Sequence, residues 1–173
     1  SEFLSSCGFY EIMCNSLTAS AYYDQLTSFP AECLVRIMNP LSNELNVMRQ
    51  TLLFGGLEAI QYNTNRHRSD LRLFEFGNCY YFSKEKGKRN PLDKYREVFN
   101  MALFVTGKKH EPNWISQGES SGVYELKAYI RNLFTRLGLN PDRILINPAE
   151  GKKDLYADGL DYRINDTVIA ELA

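Results

Sequence analysis

Apolar positions along this chain follow two rhythms, one of sheets and one of helices. From 71 to 82 the sequence reads LRLFEFGNCYYF, with Leu71, Leu73, Phe74, Phe76, Tyr80 and Phe82 spaced as in a strand covered on at least one face. A second apolar run, YREVFNMALFVTG at 95–107, follows a polar, lysine-rich connection, so the two predict an antiparallel hairpin with a long loop. Shorter strand signals fall at 9–18, at 34–40 and in RILINP, the second ended by Asn39-Pro40, because proline donates no amide and restricts its predecessor. The closing DYRINDTVIAEL predicts a hairpin turning at Asn165-Asp166. Helical steps of three and four link Leu45, Met48, Leu52, Leu53, Leu57 and Ile60, and again Val123, Leu126, Ile130, Leu133, Phe134 and Leu137. Gly55-Gly56 interrupts the first helix at a cost of roughly 1 kcal/mol per glycine relative to alanine, which predicts a close packing partner there. Gly138 and Pro141 stop the second. This order is not strict β-α-β alternation; it predicts the α+β class, a mostly antiparallel sheet flanked by helices.

Composition narrows the picture. A chain of 173 residues fits one domain spanning 1–173 with a substantial core. The 20 Lys+Arg balance 21 Asp+Glu to a net charge of -1, so any nucleic-acid contact must be local. Cys7, Cys14, Cys33 and Cys79 form no CxxC pair, and His67 and His110 lie far apart in sequence, which argues against a zinc site or a disulfide scaffold. Reduced thiols in a soluble, cytoplasmic protein are the simpler expectation. No run has the length of a membrane span, and the ends, SEF and AELA, look like cut edges of a larger polypeptide.

Candidate chemistry is sparse. GESSG at 118–122 matches the letters of a nucleophile elbow centred on Ser120, but a polar segment precedes it where that elbow needs a buried strand; a serine capping the next helix explains the same letters. His67 sits in a polar connection and reads as solvated. Asp70 and Glu75, five apart on an extended segment, point to opposite faces and make a poor acid/base or metal pair, so a solvated or salt-bridged role is expected for them. Lys84, Lys86, Lys88 and Arg89 form a basic loop with the charge to contact RNA or nucleotide phosphate, although Glu85 and Asp93 dilute it and a loop kept lysine-rich for solubility is the favoured reading.

Two segments carry a resemblance. NPLSNELNVMRQTLLFGGLEAIQYNTNR followed by DLRLFEFGNCYYF resembles the class II synthetase-like core domain in the β subunits of bacterial phenylalanine-tRNA ligases, and the similarity runs through essentially the whole chain. It implies a first helix starting near Thr51, later than periodicity suggests. GFYEIMCN resembles the first class II signature, a dimer-interface strand, with Asn15 where that signature has proline. FGNCYY resembles the second, in which glycine and an aromatic precede an arginine that binds the ATP α-phosphate. Gly77 and Tyr80 match that signature, and Tyr81 takes the arginine's place. A neutral phenol cannot supply the bidentate charge that arginine offers a phosphate. The glycine-rich third signature is missing from DYRINDTVIAELA. The resemblance therefore implies a non-catalytic structural domain with no catalytic, cofactor or metal residues of its own. Its family partner is the α subunit in a heterotetramer of two α and two β. The whole enzyme joins phenylalanine to tRNA(Phe) with ATP and magnesium, and the basic loop is a possible tRNA contact.

Overall fold

A computed structural model describes residues 1–85, 90–110, 113–115, 117–149 and 154–173. The protein is α+β and falls into two compact units, 1–107 and 108–173. Among the described residues no helix is long and apolar enough to cross a membrane.

The first unit opens with a short helix, α1 (Glu2–Ser6), and a brief strand, β1 (Tyr10–Glu11). The sequence predicts one strand over 9–18, but Asn15 folds its side-chain oxygen onto the Leu17 amide (3.0 Å), a local turn that separates β1 from β2 (Leu17–Thr18). The strand expected at 34–40 shrinks to a single antiparallel bridge, Arg36 to Val47, flanked by Met48 N–H to Val35 O (2.8 Å) and Ile37 N–H to Asn46 O (3.0 Å). Val47 and Met48 form β3 (Val47–Met48), antiparallel to β2. This pairing overrides the helical period read from Leu45. Helix α2 (Leu53–Thr64) begins only after Thr51, whose hydroxyl accepts the Leu53 amide at 3.2 Å, close to where the family resemblance placed it.

Strands β4 (Leu71–Phe82) and β5 (Tyr95–Thr106) have the bounds the alternation predicted within one residue. They pair antiparallel from Leu71↔Thr106 to Phe82↔Tyr95, while β1 adds to the other edge of β4 in parallel. Helix α2 lies against this sheet through its glycines. A Cβ on Gly56 would run into the Phe104 ring, and one on Gly55 would come within 2.8 Å of the Cys14 Cβ. The packing partner expected from Gly55-Gly56 is thus this pair of contacts. Phe54 meanwhile stacks on Tyr22 (4.9 Å between centroids) and meets Tyr23 edge-on (5.3 Å).

The second unit holds α3 (Val123–Arg136), β6 (Leu145–Pro148), β7 (Leu160–Ile164) and β8 (Thr167–Leu172), the last three in an antiparallel sheet of that order. Ile130 and Phe134 of α3 pack with Ile144, Tyr162 and Leu172, with Leu126 partly buried against them, so the middle of the expected stripe is buried while its ends, Val123 and Leu137, are exposed. The hairpin turns at Asn165-Asp166 as expected, with Asn165 at φ 53°, a left-handed position that asparagine tolerates. The serine cap proposed for α3 does not form. Gly122, which has no side chain to offer, occupies the cap position in extended conformation, and the Ser121 hydroxyl one residue earlier is buried without a partner among the described residues.

Candidate functional site

On a pleated strand alternate side chains share a face, so Glu75, Gly77, Cys79 and Tyr81 line one side of β4. Glu75 is buried, 1% exposed, and accepts an ion-paired hydrogen bond from Arg49 Nη1 at 2.6 Å. The Cys14 amide donates to the same carboxylate oxygen (3.2 Å), and Arg49 Nε donates to the Asn78 carbonyl (3.0 Å). Gly77 makes this arrangement possible: a Cβ there would collide with the Arg49 guanidinium, and a Leu52 methyl lies 3.1 Å from the same point. The main chain is tied down as well, the Tyr80 amide donating to the Arg49 carbonyl at 2.8 Å. Next to it, burial and then the Glu75 carboxylate push the Cys14 thiol up to about 11.

Tyr81 is engaged at both ends. Its hydroxyl donates to the Gln50 carbonyl (2.8 Å), and the guanidinium of Arg96, its cross-strand neighbour, lies 5.6 Å from the ring centroid. Gln50 is itself buried, its amide donating to the Tyr23 hydroxyl (3.1 Å) and its side chain to the Pro30 carbonyl (3.2 Å). Burial raises that Tyr23 hydroxyl to about 12. The face that carries Tyr81 is therefore filled by residues 49–52.

Other candidates scatter. Ser120 is exposed in an isolated bridge to Lys108, with no strand-to-helix elbow around it. His67 is exposed at φ 61° after α2. Asp70 is exposed just before β4, away from the buried Glu75, whose salt-bridged role agrees with the sequence reading. Of the basic loop, Lys84 is exposed at the end of β4; Lys86, Lys88 and Arg89 lie outside the described residues. Among the described residues no group of three His, Cys, Asp or Glu is placed to hold a metal ion. Sequence reasoning missed Arg49. The available signal was Gly77, a glycine inside a long strand, which marks a close approach by something else.

The sequence model of the phenylalanyl tRNA synthetase beta chain CLM domain matches residues 1–169. The chain belongs to this family. Among relatives of the CLM domain, it is 52% identical over 162 residues to the phenylalanine-tRNA ligase beta subunit of Bacteroides thetaiotaomicron, covering 92% of the chain and 19% of that protein. It is 41% identical over 164 residues to the Porphyromonas gingivalis subunit, covering 94% of the chain and 20% of that protein. The chain thus spans about a fifth of the length of the curated relatives it matches. In fold, this CLM domain is similar to pyrrolysyl-tRNA synthetase from Desulfitobacterium hafniense, with TM-score 0.63 and 16% identity over 98% of the chain and 54% of that structure.

Proposed function

We propose that this CLM domain is a non-catalytic core, with its two compact units acting as one domain over 1–173, that supports assembly of a phenylalanine-tRNA ligase in the cytoplasm. On this reading the α subunit makes the aminoacyl adenylate and charges tRNA(Phe), using ATP and magnesium, within a tetramer of two α and two β subunits. The observation that carries the reading is the filled face at Tyr81. Adenylate formation needs fixed positive charge at the α-phosphate. Here the phenol is committed to Gln50, and the Arg49 charge is neutralised by Glu75 in the space above Gly77. These residues do not fit a triphosphate, so no step of the activation chemistry is assigned to them.

Assembly is supported by the first-signature segment, where Tyr10 and Met13 are 75% and 93% exposed. Large apolar side chains displayed on and beside a sheet strand suit burial against a partner subunit. The test uses the complete β subunit co-expressed with its α subunit. Tyr10→Glu with Met13→Glu is expected to reduce co-purification of α at least tenfold while β stays folded; undiminished recovery would remove this segment from the interface. Complete β without α is expected to show no phenylalanine-dependent exchange of pyrophosphate into ATP, and measurable exchange would overturn the non-catalytic reading.

A further inference from the structure

An open cleft of about 490 Å³ lies between residues 31–36 and the distal end of the β4–β5 ribbon. Its apolar wall is Ala31, Leu34, Val35 and Phe82; Tyr95, Arg36, Lys84 and Glu32 complete the lining. The volume falls in the range of small-ligand sites, which pair apolar walls with a few convergent polar groups. Phe82 and Tyr95 are cross-strand partners with centroids 5.5 Å apart at 51°, and Tyr95 remains 53% exposed, so its ring offers a free π-surface. Arg36 and Lys84 reach the same cleft from two separate segments, and neither has an ion-pair partner among the described residues. The backbone beneath is fixed: the Ser83 amide donates to the Lys94 carbonyl (2.8 Å), and Arg36 bridges to Val47.

An aromatic ring beside two uncommitted cations is the combination that holds single-stranded nucleic acid, by stacking a base and pairing its phosphate. We propose that this cleft binds one unstacked nucleotide of a single-stranded RNA, with the base against Tyr95 and Phe82 and the phosphate on Arg36 and Lys84. Glu32, acceptor-only when ionised, favours a base edge that presents an exocyclic amine, as cytosine and adenine do. The cleft lining includes neither Tyr81 nor residues 49–52, although its wall follows Pro30, which accepts from the Gln50 side chain, and the site does not depend on the assembly role.

The test uses the complete ligase and a fluorescein-labelled, single-stranded ten-nucleotide oligocytidylate, read by anisotropy. Arg36→Glu with Lys84→Glu is expected to weaken binding at least tenfold at low salt and to flatten the salt dependence by an amount matching about two phosphate contacts. Tyr95→Ala is expected to weaken it roughly 5- to 100-fold, as base-stacking losses do, and Tyr95→Phe to restore it. Arg143→Glu, an exposed charge on the other compact unit, is expected to change nothing. Unchanged binding in the Arg36 and Lys84 double variant, or equal loss on reversing Arg143, would overturn the site. If free cytidine monophosphate competes as well as the oligonucleotide, the cleft takes mononucleotides and the assignment to RNA fails.

Discussion

Arg49 and Glu75 illustrate how one buried pair organises its neighbourhood. Removing one partner from a buried ion pair strands the other charge, at a cost of about 3–5 kcal/mol, whereas apolar replacement of both is often neutral. Glu75→Gln is therefore expected to lower the midpoint of thermal unfolding substantially, while Arg49→Met with Glu75→Leu recovers most of the loss; equal losses in single and double variants would mean the pair does not act as a unit. Cys14 adds a pH dependence of defined sign. Its folded thiol keeps a proton up to about 11, against an ordinary value of 9.0, so the unfolded chain ionises first. The stability this contributes is complete below pH 9 and lost as pH rises through 11. Alkylation should report the same suppression: at pH 8 Cys14 is expected to react with iodoacetamide far more slowly than a free thiol, and parity would contradict its protected setting.

At the scale of elements, the glycine pair of α2 sets how near the helix comes to β5. Gly56→Ala is expected to destabilise the protein by about 1–3 kcal/mol in denaturant unfolding, since the new methyl must displace the Phe104 ring; a neutral or stabilising result would show that the ring yields freely. Periodicity revealed the elements whose own residues decide them. The long strands β4 and β5, helix α3 and the closing hairpin were legible because period and turn chemistry agree there. The stretch from 9 to 52 was not, because its backbone hydrogen bonds go to distant partners: the Met48 amide donates to the Val35 carbonyl, the Asn46 amide to that of Thr18, and the Tyr80 amide to that of Arg49. No local pattern encodes such pairing. The candidate site was half legible. Tyr81 could be picked out by likeness to a signature, whereas the ion pair that fills the face shows only as a lone glycine within a strand.

For the whole molecule, the filled face bears on whether one substitution could give this domain a phosphate-binding arginine. Tyr81→Arg would restore the signature's lettering, yet the new guanidinium would arrive opposite Arg96 and leave the Gln50 carbonyl without its donor. Complete β subunit carrying this substitution is expected to melt lower and still fail to exchange pyrophosphate; exchange above background would show that one residue was the only barrier. A phosphate-binding arginine on this face would need several coordinated replacements, so on the reading proposed above the Arg49–Glu75 pair works like a ratchet's pawl, holding the space over Gly77 against any single step.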